Sequence, residues 1–189
     1  MSKIGISKFH YAKQTSEEVA GTPGTPAVYG TVKAVPGLVS IDVSVASNTA
    51  TLYADNGPYE TASSLGEISL TLNLADLPLD VQADLLGHTL DSTDTDSPQI
   101  TKKASDVAPY VAVMFEFLLG DGTKRCVKLY KGKFAIPNEN GQTRGENVEF
   151  QTSEITAAFV QLKNSQVYED IKDFPASEST DSWYASVLS

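Results

Sequence analysis

Residues 38–74 read LVSIDVSVASNTATLYADNGPYETASSLGEISLTLNL. Two segments of this stretch alternate with a period of two. In Leu38 to Ala46, Val39, Ile41, Val43 and Val45 oppose Ser40, Asp42 and Ser44; in Gly66 to Leu74, Ile68, Leu70, Leu72 and Leu74 oppose Glu67, Ser69, Thr71 and Asn73. Successive side chains of a strand point to opposite faces, so each segment predicts a half-buried strand with one apolar and one small, polar or acidic row. Between them, Thr49 to Ala54 predicts a further strand and Asp55 to Thr61 a turn-rich projecting loop.

The polar rows carry no Lys, unlike an ordinary solvated sheet face, which is commonly studded with it. The bias extends well beyond the two strands. Residues 34–101 hold ten carboxylates (Asp42, Asp55, Glu60, Glu67, Asp76, Asp80, Asp84, Asp91, Asp94 and Asp96) and no Lys or Arg, whereas residues 102–133 hold seven bases against three acids. Such a field repels polyanions, and the formal charge of -10 argues against adhesive nucleic-acid binding, which Lys and Arg supply by displacing counterions from phosphates. Separated signs on one chain also suit head-to-tail association of copies.

Further strands follow downstream. Tyr110 to Leu119 (YVAVMFEFLL) is apolar on both faces except at Glu116, Gly120-Asp121-Gly122 turns the chain, and Lys124 to Lys133 completes a hairpin. Asn140-Gly141 predicts another turn before a last strand from about Glu149 to Leu162, with Ile155, Ala157 and Phe159 on one face. One helix is expected over 77–87, with Pro78 as its first residue, Asp76 and Asp80 at its positive end and Gly87 as its stop; Thr180 to Val187 predicts a weaker helical turn. Two Thr-Pro steps with Gly21, Pro23 and Gly24 make residues 1–30 an N-terminal arm, and residues 165–189 form a C-terminal one. The whole is a mostly β chain: an antiparallel β-sandwich or barrel over 31–164 with one flanking helix and extended arms.

Catalytic signals are absent. His10 and His88 are the only imidazoles and Cys126 the only thiol, so zinc sites of several His or Cys ligands and a hydrolytic triad lack their parts. His88 is expected to cap the last carbonyls of the helix, and Cys126 to fill space in the core. The run from Asp91 to Pro98 lacks the central glycine and bidentate Glu of a calcium loop and predicts a solvated acidic loop. No phosphate loop, dinucleotide fingerprint or paired-Cys motif occurs, so neither an enzyme, a metal nor a cofactor is expected. No apolar run reaches the roughly 18 residues of a membrane span, and the start MSKIGISKFHYAK has no apolar signal region; a soluble protein kept inside a cell is expected.

Several blocks, spread in order over residues 48–160, resemble the major tail protein, or tail tube protein, of long-tailed phages, particularly the type found in phages of Gram-positive hosts. They are Thr51-Leu52-Tyr53-Ala54-Asp55, Gly57-Pro58-Tyr59-Glu60, Leu77-Pro78-Leu79-Asp80-Val81-Gln82, Leu85-Leu86-Gly87-His88, Ala108-Pro109-Tyr110-Val111-Ala112, Leu129-Tyr130-Lys131-Gly132-Lys133-Phe134 and Glu149-Phe150-Gln151-Thr152. The resemblance implies a virion protein assembled in the host cytoplasm, six copies forming a ring and rings stacking into a tube that meets a tape measure protein and other tail proteins. It implies that DNA passes through without specific binding and that no membrane is involved. The loop from Tyr53 to Thr61, with Asp55, Asn56, Gly57, Pro58, Tyr59 and Glu60, and the two arms would bridge neighbouring rings. Joined to the charge pattern, this assigns Ser40, Asp42, Ser44, Glu67, Ser69, Thr71 and Asn73 to the bore. A carbohydrate-binding or adhesive β-sandwich is the alternative, with Tyr53, Tyr59, Trp183 and Tyr184 as its only aromatic candidates.

Overall fold

The computed structural model describes residues 2–19, 25–91, 93–94, 97–138, 141, 143, 151–163 and 167–188. Strands β1 (Lys3–Ser16), β2 (Val28–Tyr29), β3 (Lys33–Val35), β4 (Leu38–Ala54) and β5 (Gly57–Leu74) precede helix α1 (Leu79–Leu86). Then come β6 (Thr89–Asp91), β7 (Gln99–Thr101), β8 (Val111–Leu119), β9 (Lys124–Phe134), β10 (Ser153–Val160), β11 (Glu169–Phe174) and the single turn α2 (Asp181–Tyr184). Nine strands make one antiparallel sheet in the order β2-β1-β8-β9-β10-β5-β4, with β3 also on β1 and β11 also on β9; β6 and β7 pair separately.

Strand β9 is the junction of the sheet. Its first part, up to Leu129, pairs with β11, and its last part, from Lys131 to Phe134, pairs with β10. The branches on either side pack across one core, to which β1 and β8 contribute Phe9, Tyr11, Val113 and Phe115, and β5 and β10 contribute Leu70, Leu72, Ile155 and Phe159. Each core residue comes from an alternating row, which is why the row is apolar. Among the described residues no ladder joins β4 to β1, so the sheet curls without closing into a barrel.

Strand β8 is buried on both faces, as its continuous apolar run requires. Its second face, with Ala112 and Met114, forms another core with Tyr130, Leu162, Tyr184 and Val187. Glu116, on the same face, is buried and satisfied by Ser7 Oγ at 3.0 Å and Thr180 Oγ1 at 2.9 Å. Cys126 packs beside it, fully buried; burial and the adjacent carboxylate push its thiol up to about 11, far from the thiolate a nucleophile needs.

Both arms correct the sequence expectation in part. Residues 3–16 form β1, hydrogen-bonded to β8 on one side and to β2 and β3 on the other, with Phe9, Tyr11 and Ala12 buried. The C-terminal segment adds β11 to β9 and lays Thr180, Tyr184 and Val187 into the second core, held by Lys128 Nζ on the Ser186 carbonyl at 2.7 Å. Burying these apolar groups outweighs the ordering entropy that an extended arm would retain. The glycine and proline cluster at 21–24, Asn140 of the expected turn, Glu149 and Phe150 of the last strand, and Asp96 lie outside the described residues.

Helix α1 closes one end of the main core with Val81, Leu85 and Leu86. Pro78 is its N-cap residue, one position before the expected place, and Gly87 ends it in the left-handed region at φ 73°. A Cβ at Gly87 would meet the Val107 carbonyl oxygen at 2.4 Å, so space and conformation both demand glycine. His88 caps through its backbone N–H on the Ala83 carbonyl at 3.1 Å, but its side chain does not; Nδ1 pairs instead with Asp106 Oδ2 at 2.8 Å, fastening the 101–110 crossover to the helix end.

The helix is tied to the sheet by Asp84, whose carboxylate accepts from Tyr11 OH at 2.8 Å, Lys13 Nζ at 2.7 Å and Lys33 Nζ at 2.5 Å. Burial alone would raise its pKa, but these three donors outweigh it and bring it from 3.8 down to about 2. A lowered folded-state pKa gives stability that is complete above the unfolded value and disappears as pH falls through the folded one. Acid titration of unfolding should therefore show Asp84 losing on the order of 2 kcal/mol between about pH 4 and pH 2, a component missing in Asp84→Asn.

Candidate functional site

The β4–β5 hairpin and β10 build one continuous polar surface. Direct cross-strand partners share a face, and the register pairs Ser40 with Asn73, Asp42 with Thr71 and Ser44 with Ser69. Asn73 Nδ2 donates to Ser40 Oγ at 3.1 Å across the ladder. Glu67 lies two residues from Ser69 in β5, at the bulge between the Val45–Ile68 and Ser47–Leu65 pairs, and keeps the alternation with buried Ile68 that puts it on the face of Ser69. All seven residues assigned by sequence to one surface therefore share it, and Asp42 and Glu67 are exposed.

Strand β10 extends the surface by a row that sequence reasoning missed. Glu154 pairs with Asn73, Thr156 with Thr71 and Ala158 with Ser69. Its signal lies in the sequence, where Glu154, Thr156 and Ala158 alternate with Ile155, Ala157 and Phe159. Asp42, Glu67 and Glu154 make no ion pair among the described residues. At the inner margin stands Lys133, opposite Ala158, with its ammonium 4.4 Å from the Tyr110 ring centroid. Among the described residues the face thus carries three carboxylates without ion-pair partners, across three strands, and one cation turned to an aromatic ring.

The apolar row of β4 needs a correction. Its partner row in β5 is fully buried, whereas Ile41 and Val43 are half-buried and Val39 and Val45 exposed. The reason is position: β4 is the last strand of the sheet, so the core covers its row incompletely and its outer backbone edge is unpaired among the described residues.

Beyond Ala46 and Leu65 the hairpin leaves the sheet, because β10 pairs with β5 only from Ile68 to Leu74. Eight residues of each strand project, 47–54 and 57–64, roughly 26 Å at the usual strand rise. The expected loop from Asp55 to Thr61 is a two-residue turn at Asp55 and Asn56, both left-handed at φ 50° and 63°, and Gly57 to Thr61 are strand. Asp and Asn tolerate that region better than other non-glycine residues, and such turns match the twist of a hairpin. Around the tip stand Leu52, Tyr53 and Tyr59, the tyrosines 71% and 73% exposed. Among the described residues nothing buries the apolar tips of this two-stranded ribbon.

A comparison with protein-family models finds no match for this chain, and a comparison with curated protein sequences finds none either.

Proposed function

We propose that the chain is the subunit of a phage-type tail tube, with the β4–β5–β10 face turned to the bore and the projecting hairpin reaching a neighbouring ring. One observation carries the reading: a three-strand surface of Asp42, Glu67 and Glu154, without ion-pair partners among the described residues, bordered by a strand edge unpaired among those residues and continued by a long hairpin. A duplex sliding through a tube must not be held. Cationic walls trap phosphates, whereas carboxylates separated from the duplex by water and counterions repel it at short range. The unguarded edge of β4 supplies a lateral bond between copies, since backbone groups left open there pair with another strand.

The hairpin provides the test. Replacing Tyr53 and Tyr59 by Ser removes exposed side chains, so monomer stability should change by no more than about 0.5 kcal/mol. If the tips are anchors at a contact between copies, each costs about 2 kcal/mol on truncation, and the concentration needed for assembly should rise more than tenfold. Negative-stain microscopy of concentrated wild-type protein should show hollow stacked rings, which the double variant forms poorly or not at all. A wild type that stays monomeric at every concentration contradicts the reading, as does a double variant that assembles like wild type. Glycan binding lost in the same variant would favour the adhesive alternative.

A further inference from the structure

A second polar constellation adjoins the inner margin of the acidic face, where Lys131 shares the Tyr110 ring with Lys133, and its central ion pair is buried. Glu18 follows the end of β1, and its side chain is 0% exposed. Its Oε1 accepts from Lys131 Nζ at 2.7 Å and from the backbone N–H of Lys163 at 3.0 Å. Its Oε2 accepts from Gln14 Nε2 at 2.9 Å. The Lys131 side chain is 2% exposed, with the Tyr110 ring centroid 4.5 Å from its nitrogen. Gln14 Nε2 also donates to the Ser16 carbonyl at 3.2 Å, whereas Gln14 Oε1 is buried without a donor. A primary amine and a primary carboxamide thus sit on the two oxygens of one carboxylate, with the Glu18–Lys131 pair buried and Gln14 half-buried at its margin.

We propose that Lys131 and Gln14 join through an isopeptide bond, with Glu18 carrying the protons. The Lys131 ammonium passes one proton to Glu18, and the free amine attacks Gln14 Cδ to form the new C–N bond. Glu18 then protonates the amide nitrogen, the Cδ–Nε2 bond breaks, and ammonia leaves with the remaining proton as ammonium. One ammonium and one carboxamide become one secondary amide and one ammonium ion, and nothing is oxidised or reduced. Glu18 ends as it began.

Two physical effects favour the step. Fixing both partners on one carboxylate replaces a bimolecular encounter by an intramolecular one, which is worth many orders of magnitude in effective concentration. Burial narrows the gap between an ion pair and its neutral form, because charges cost more than neutral groups in a dry interior. Burial would raise the Glu18 carboxyl, but the hydrogen bond from Lys131 and its other donors bring it down to about 2, so Glu18 rests as the carboxylate that receives the proton. Gln14 lies on β1 and Lys131 on β9, with β8 between them, so the bond would staple the outer strand to the junction strand. The inference does not depend on the proposed function.

Intact-mass spectrometry of the folded, full-length chain tests it, followed by tandem fragmentation. Wild type incubated in the folded state should become lighter by one ammonia, and fragments should join the peptide holding Gln14 to that holding Lys131. Chain kept in denaturant should not change. Gln14→Ala lacks the acceptor and Glu18→Gln keeps both reacting groups without the proton carrier, so both should retain full mass. The wild-type result decides even if a variant folds poorly. Full mass after prolonged folded incubation overturns the proposal. So does an ammonia loss that maps to Asn56-Gly57, or a water loss that joins Lys131 to Glu18.

Discussion

Replacing Asp42, Glu67 and Glu154 together by Lys should turn the proposed tube from one that releases duplex DNA into one that holds it. The three carboxylates are exposed, and none makes an ion pair among the described residues, so the monomer should keep its stability to within about 0.5 kcal/mol. Tubes should still form, because the three side chains project from the face and leave the backbone edge of β4 and the hairpin tip unchanged. The face itself changes from three negative to three positive charges per subunit. Each phosphate neutralised by a base contributes a salt-dependence slope near -0.9, and six to ten such contacts change affinity by about a thousandfold or more between 50 and 200 mM salt. Wild-type tubes should therefore show no DNA retention at low salt, and variant tubes should bind tightly and let go as salt rises. In a phage carrying the variant, genome ejection should slow. Unchanged retention and unchanged ejection would remove the bore assignment while leaving the fold untouched.

The second large effect concerns Gly132, at the junction of the sheet. Gly132 of β9 lies directly opposite Phe159 of β10, and a Cβ built on it would stand 2.5 Å from two carbons of that ring. No rotation of a side chain at 132 relieves a clash at its first atom, so Phe159 must leave the core or the strands must separate. Overpacking of this kind costs about 1–3 kcal/mol when the core can adjust and more when it cannot. We expect Gly132→Ala to cost about 3 kcal/mol, lowering the melting temperature by about 10 °C in a chain of this size, and Gly132→Val to prevent folding. The mechanism has its own check. In a Phe159→Leu background the Gly132→Ala penalty should shrink, since the atoms that collide are gone, whereas an equal penalty in both backgrounds would place the cost in the backbone.

How much of this was readable beforehand depends on what holds each segment. The alternating row at 66–74 reads correctly because one side of a pleat is wetted and the other packed, which writes a period of two into the chain, whereas the matching period at 38–46 gives the strand but not its incomplete burial. The hairpin at 110–133 and the stop at Gly87 were legible for similar reasons. Strand β1 was not. Phe9 and Tyr11 face the main core and Ala12 the second one, and Lys8 sits at φ 55° where the register slips between Ser7 and His10, so no regular period survives in KIGISKFHYAKQTS. Strand β11, EDIKDF, buries only Phe174 and is held by its ladder to β9, a force that leaves no hydropathy pattern. The edge position of β4 and the buried Glu18 cluster arise from contacts distant in sequence, which periodicity cannot report. The Lys131 to Glu18 pair alone spans a separation of 113 residues.

A cryo-electron-microscopy reconstruction of filaments grown from the purified chain measures the orientation of the acidic face directly. A hollow tube is expected, its bore lined by the Asp42, Glu67 and Glu154 rows and the tips at Tyr53 and Tyr59 seated on an adjacent ring. A reconstruction with those rows on the outer wall, or with lysines of neighbouring copies lying over them, would contradict the bore assignment.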